Sequence, residues 1–350
     1  MGGARRAERR ARRAGLHGAR GRARADLGGR SAAAPTADST PHPTGQNHPP
    51  AEEEEVAPAR EVFARASWGS GRGQLGRSRP EEANPEAPMS LAEGADGSVI
   101  VLDQVNRRLV RYDQNGEEAG TSPLTMSEPQ DIATASDGTA AVLDRLVDRT
   151  VTIVSPDGRT LGTLPVEGEG IPEAGGVTAV MVDGDDVFVE RENGPLVRIG
   201  DLSARPAQER TEIPGRPTRD GLSYILAGLV EAPAGRFFVS SIERSSREHR
   251  FTRELTVPLI LRQILLLDTD NAGIIYVAVA GTPYGAEEEV EEVRLLCLMP
   301  NDGSTINGAV LPSNTDPEET MREMIVLATG GVLYSMRSDE GVSIGRFDCR

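Results

Sequence analysis

The stretch PMSLAEGADGSVIVLDQVNRRLVRYDQNG, residues 88–116, is followed at an offset of 41 by PQDIATASDGTAAVLDRLVDRTVTIVSPDG, residues 129–158. Asp96-Gly97 returns as Asp137-Gly138, and Leu102-Asp103 returns as Leu143-Asp144. A third copy, VTAVMVDGDDVFVERENGPLVRI, runs over 177–199 with its turn at Asp183-Gly184. Each copy has one grammar: an apolar strand, an Asp-Gly turn, a Val- and Ile-rich strand, a polar turn, and a third strand. That third strand ends at Asn115-Gly116 or Asp157-Gly158, and a fourth, such as 160–166, completes the unit. Asp-Gly and Asn-Gly between apolar runs are strong hairpin signals because these residues accept the positive φ of tight turns. Four short hairpin-linked strands in a unit of about 40 residues describe one blade of a β-propeller.

Three further copies are traceable. Residues 226–240 place Ala234-Gly235 at the turn, 263–280 place it at Asn271-Ala272-Gly273, and 324–336 at Gly330-Gly331. The count is six, with insertions near 245–253 and 283–292 assigned to loops. The last copy ends at GRFDCR without a fourth strand, while EVFARASWGSGRGQLG, residues 61–76, precedes the first copy with nothing of its own to pair with. Donating that early segment to the last blade closes the ring and protects its open edge. The expected fold is therefore all-β, a six-bladed propeller over 59–350 closed by an N-terminal strand.

Residues 1–58 have a different composition. The first thirty carry ten arginines against Glu8 and Asp26, and 31–58 turn to Pro, Ser, Thr and Glu. Such a segment buries too little apolar area to offset the entropy of ordering, so a disordered tail is expected. With a net charge of −16 for the whole chain, 59–350 is left with −19. That body repels phosphate, so nucleic acid is an expected partner only of the Arg-rich tail. All 38 basic residues are arginine, which excludes Schiff-base chemistry and a P-loop, since both require a lysine amine. No apolar run reaches the roughly 18 residues of a membrane span. The basic residues are not followed by an apolar h-region, so a cytoplasmic location is expected as the sequence stands, and an extracytoplasmic one if the true start differs.

The sequence resembles the NHL-repeat proteins and related six-bladed propellers through Trp68-Gly69, Gln74-Leu75-Gly76, Asp96-Gly97, Val99–Asp103, Asn106 and Arg111-Tyr112-Asp113. The likeness implies a propeller used for binding and scaffolding, with some lyases and lactonases among its relatives.

Motifs that suggest chemistry have structural counterparts. Gly71-Arg72-Gly73-Gln74-Leu75-Gly76 matches G-x-G-x-x-G but is followed by three prolines instead of a helix, so a turn after an outer strand is expected. Asp268 to Gly273 opens like a calcium loop, yet Ala272 and Val279 stand where an EF-hand needs oxygen ligands, so turn-forming aspartates are expected. Asp103, Asp144 and Glu190 recur at equivalent places, which suggests capping of the next turn or, alternatively, a cation-binding ring. His17, His42 and His48 lie in the tail, leaving only His249 in the body. That is too few imidazoles for a histidine zinc site. Cys297 and Cys349 are expected as buried free thiols, with a single bridge as the alternative.

By register, the innermost strands begin at Gln130 and Asp131, Arg262 and Gln263, and Arg322 and Glu323. These six are the candidate binding residues at the channel mouth, either holding a polar ligand or pairing with one another to plug the channel. The expected function is non-enzymatic, a monomeric scaffold recognising a protein or small polar ligand on one face, without a cofactor. The alternative is a metal-dependent hydrolase or lactonase, which would require a divalent cation.

Overall fold

The computed structural model describes residues 61–349 except 193, 287–289 and 315. The expected tail over 1–58, its three histidines and the glutamates 287–289 lie outside the described residues. No α-helix occurs among those described; two single 3-10 turns, Ala174–Gly176 and Ala232–Ala234, interrupt an otherwise all-β chain.

Five sheets of four strands and one of five succeed one another along the sequence, each ordered from the channel outward. Blade 1 is Ser90–Glu93, Val99–Asp103, Arg108–Tyr112 and Glu118–Pro123, and blade 2 is Asp131–Thr134, Ala140–Asp144, Thr150–Val154 and Thr160–Pro165. Their second strands are buried at every position, because blades press on both faces. Both therefore read as continuous apolar runs instead of alternating ones. Blade 3 begins at Val177–Asp183, blade 5 at Leu259–Thr269 and blade 6 at Met324–Val326.

Blade 6 is completed from the other end of the chain. Glu61–Trp68 pairs antiparallel with Gly341–Phe347 as its outer strand, and Gln74–Leu75 adds to Ser67 and Trp68 in parallel. The glycine-rich 69–73 is thus the turn after an outer strand. Asp103 holds that turn against blade 1: it accepts from Gly76 N–H at 3.0 Å, from the Asn106 side chain at 2.8 Å and from Arg108 Nε at 2.8 Å. Arg108 in turn donates to the carbonyls of Ser70 and Gln74. Gly116, at φ 77°, sits where the closing strand crosses blade 1, and a Cβ there would overlap the Phe63 carbonyl oxygen.

The core is divided among the seams between blades, with six buried clusters for six seams. The seam between blades 3 and 4 is the thinnest, with only Phe188, Leu196, Ile213 and Tyr224 buried in its cluster among the described residues. Polar contacts supplement it: Arg244 makes a two-pronged pair with Asp183, and Arg247 lies over the Tyr224 ring.

Three expectations are corrected. In blade 4 the Ala234-Gly235 turn joins the second and third strands, Ser223–Glu231 and Arg236–Glu243, and not the first two. The innermost strand is only Arg216–Pro217, and the equivalent turn is Asp220-Gly221. Second, 249–253 is not loop but part of the outer strand His249–Thr256. Third, Cys297 and Cys349 are not free thiols: they form a disulfide, Cα–Cα 6.0 Å, between blade 5 and the segment that follows blade 6's third strand. Both were recognised as buried, but their adjacency arises only because the ring brings the last two blades together.

The bridge closes a 52-residue interval, and a loop of that size restricts the unfolded chain by about 2–4 kcal/mol. Cys349→Ser is expected to lower stability by that amount. The check is urea unfolding followed by Trp68 fluorescence: reductant should reproduce the shift in the native protein and leave the variant unchanged.

Candidate functional site

Charged side chains close the central channel. Arg219, in the first turn of blade 4, donates to Glu93 of blade 1 at 2.7 Å and to the Val326 carbonyl of blade 6 at 2.7 Å, and stands 3.7 Å from Asp268 of blade 5. Arg322, entering blade 6, donates to Asp131 of blade 2 at 2.6 Å and to the Val180 carbonyl of blade 3 at 2.9 Å. Blades 1 and 4, and blades 3 and 6, are opposite one another in a ring of six, so these bonds cross its centre. Arg216 makes a shorter span, from Glu190 of blade 3 at 2.9 Å to the Leu267 carbonyl of blade 5 at 2.9 Å. Burial opposes ionisation of Glu190, but the Arg216 guanidinium outweighs it and holds the carboxyl below its usual range. Burial likewise works against the Arg219 charge, yet Asp268 and Glu93 raise its pKa.

Concavities remain on both faces. Where the innermost strands end, the first turns of all six blades surround a depression of about 700 Å³, with Arg219 and Arg322 among its lining. Where they begin, a slot of about 320 Å³ lies between blades 3, 4 and 5. Its cause is the truncated inner strand of blade 4. Arg216–Pro217 pairs only with Tyr224 and Ile225, so Leu226 to Leu229 of the next strand have no inner neighbour and form one wall. Ile264 and Leu267 form the opposite wall, the Glu190–Arg216 pair also lines the slot, and the exposed Arg262 and Gln263 stand at its edge. The lining is divided about evenly between apolar walls and polar groups, and a small-ligand site uses both, the first for burial and the second for orientation.

The six sequence-derived candidates do not share a cavity. Arg262 and Gln263 line the slot, and Gln130 lines a separate hollow over blades 1 and 2. Asp131 is fully buried, accepting from Ser90 Oγ, Val180 N–H and Arg322. Glu323 accepts from Asn314 at 2.9 Å beside Arg337 at 3.7 Å, and burial pushes its carboxyl up against the pull of that arginine. Asp131 and Arg322 are therefore bonded to each other across the channel. Arg219 and Glu93 were missed: recognising Asp220-Gly221 as the first turn of blade 4 would have placed Arg219 beside the channel.

The recurring carboxylates divide. Asp144 caps its turn, accepting from Val147 N–H at 2.9 Å and Asp148 N–H at 3.1 Å, as Asp103 does in blade 1. Glu190 instead faces Arg216. Asp270 accepts from Ala272 and Ile274 N–H, which is the turn role expected of that loop. Among the described residues no group of three or more His, Cys, Asp or Glu is arranged to hold a metal ion, and no helix is long and apolar enough to cross a membrane.

The chain is a six-bladed β-propeller. No family model and no curated protein matches it. Solved structures similar to it include a member of the DUF4221 family from Bacteroides vulgatus, at 11% identity and TM-score 0.49, covering 83% of this chain and 97% of that one. A gluconolactonase from Xanthomonas campestris aligns at 10% identity and TM-score 0.44, covering 83% and 99%. The WD40 repeats of RRP9 align at 12% identity and TM-score 0.46, covering 75% and 80%.

Proposed function

We propose that this is a non-enzymatic binding propeller, built on NHL-like repeats, that takes a small polar ligand on the face where its innermost strands begin. The observation that carries this reading is the slot of about 320 Å³ left by the truncated inner strand of blade 4. A ligand cannot thread the channel, because Arg219 and Arg322 are bonded across it. It therefore meets a face, and this slot combines apolar walls with Arg262 and Gln263 at its edge. The Glu190–Arg216 pair satisfies its own charges, and the exposed Gln263 at the edge is the polar side chain offered to a ligand.

The test is a thermal-shift screen of small polar metabolites against the native chain and Gln263→Trp, a bulky substitution at an exposed position. A ligand at about 100 times its Kd stabilises by about 2.7 kcal/mol, or roughly 5 °C for a domain of this size. That shift is expected in the native chain and absent from the variant. Equal shifts in both would remove the slot from consideration. Turnover of an ester or lactone with a stoichiometric divalent ion would replace the binding role with the hydrolase alternative.

A further inference from the structure

One wall of the slot is main chain. Arg216–Pro217 covers only Tyr224 and Ile225, while the strand Ser223–Glu231 runs on beyond it. Which of its backbone groups turn inward follows from one anchor. Ser223 donates its N–H to Thr218 Oγ1 at 3.0 Å and accepts from Thr218 N–H at 2.9 Å. Both of its main-chain groups therefore point away from the neighbouring strand Arg236–Glu243. Along an antiparallel ladder these directions alternate residue by residue. Ile225 points inward as well, and a Cβ on Gly215 would overlap its carbonyl oxygen. Ala227 and Leu229 continue the series, and among the described residues nothing bonds them on that side. Leu226 and Gly228 face the other way, opposite Ser240 and Phe238.

Two residues, each directing one N–H and one C=O into the slot, thus stand roughly 7 Å apart along an open edge. Ala227 is half-buried and Leu229 exposed, so a ligand can reach both. The side chains on this side of the strand face blade 5. Ile225 and Ala227 share a cluster with Ile264 and Leu267, which form the facing wall. The slot is therefore a vacant strand lane, bounded by a backbone edge on blade 4 and by apolar side chains on blade 5.

We infer that the slot takes an extended peptide of about three residues, laid antiparallel to Ser223–Glu231 and in line with Arg216–Pro217. The inference rests on the slot being the ligand site and names what that site takes. A peptide is the ligand whose own N–H and C=O recur at the spacing of the edge, the chemistry by which strands add to sheets. Opposed residues of an antiparallel pair put their side chains on one face. The first and third residues, opposite Leu229 and Ala227, therefore point at Ile264 and Leu267 and are apolar. The second lies opposite Gly228, which carries no side chain to crowd it, and its N–H points away from the edge. The recess holds about 320 Å³ against the wall of blade 5, which admits one strand but not a blade of a second copy.

Isothermal titration of the native chain tests this with Val-Ser-Val, free at both ends, and with acetyl-Val-Ser-Val-amide. At least one is expected to bind. Tighter binding of the free form assigns the site to a small peptide, and tighter binding of the capped form to a segment within a longer partner chain. Methylating the backbone nitrogens of both valines removes two hydrogen bonds and is expected to weaken binding at least tenfold, whereas methylating the serine nitrogen leaves it within about twofold. On the protein side, Ala227→Pro deletes an N–H that no strand bond uses and is expected to weaken the unmodified peptide severalfold. If that variant fails to fold by far-ultraviolet dichroism, the methylated series carries the test alone. Binding of neither peptide overturns the inference, as does equal loss from methylation at valine and serine, unchanged binding by a folded Ala227→Pro, or self-association of the native chain that competes with the peptide. A polar metabolite whose thermal shift vanishes in Gln263→Trp, with no peptide bound, ends the peptide assignment and leaves the slot standing. No response to any metabolite or peptide ends both.

Discussion

A chain that begins at Arg77 is expected to lose cooperative unfolding altogether when compared with one that begins at Glu61. The sixteen-residue difference removes the outer strand Glu61–Trp68, paired from Glu61↔Arg346 to Ser67↔Gly341, and the short Gln74–Leu75 strand beyond it. Ala64, Ala66 and the fully buried Leu75 leave the cluster that joins blades 6 and 1, exposing Val342 and Ile344. Asp103, a fully buried carboxylate, loses the Gly76 N–H, and Arg108 loses its carbonyl acceptors in the 69–76 turn. Most damaging, Gly341–Phe347 becomes an unprotected edge, a template for pairing with other chains. The combined loss is comparable with the whole stability of a domain, about 5–15 kcal/mol. Light scattering is expected to show association of the shortened chain, and a peptide spanning 61–76 added in trans should restore a single transition. A monomeric, two-state shortened chain with an unchanged midpoint would mean that the ring is not held by this strand.

That closure is legible in the sequence because every element in it has a local signal. Asp-Gly and Asn-Gly turns mark hairpins, the offset of 41 marks the unit, and an unpaired first strand facing an unfinished last blade leaves one arrangement. Reading failed where the signal was short or non-local. Arg216–Pro217 is too brief to show alternation, so the next hairpin in blade 4 was mistaken for the first and the Asp220-Gly221 turn passed unnoticed. The same slip hid Arg219 and the cause of the slot. Arg262 and Gln263 stand out in the sequence because two polar residues interrupt an apolar inner strand. The Arg219–Glu93 bond spans 126 positions between opposite blades, and no sequence period encodes a contact across a ring. The bridge from Cys297 to Cys349 is hidden for the same reason, since only the curvature of the sheet array brings them together.

The cross-ring bonds also set the second large effect. Asp131 has no exposed surface and serves three donors: Ser90 Oγ at 2.6 Å, Val180 N–H at 2.8 Å and Arg322 at 2.6 Å. Replacing it with alanine leaves a guanidinium at the channel with the Val180 carbonyl and the weakly accepting Met181 sulfur as its remaining hydrogen-bond acceptors. Breaking one side of a fully buried pair costs about 3–5 kcal/mol, and the lower end is expected here because Arg322, the charge left behind, lines the depression and keeps some contact with water. Asp131→Ala is expected to lower the urea midpoint accordingly. Removing both charges in Asp131→Ala/Arg322→Met should recover much of the loss, because an apolar pair in a closed channel carries no orphaned ion. The double-mutant cycle isolates that coupling, and a value above about 1 kcal/mol is outside the range of most exposed pairs. It also decides between the two roles open to these residues at the sequence level. A pair kept for ligand contact tolerates loss of either partner until ligand is added. A plug fails at once when one side is removed and recovers when the other follows, and three bonds converging on one fully buried carboxylate make the second pattern the expected one.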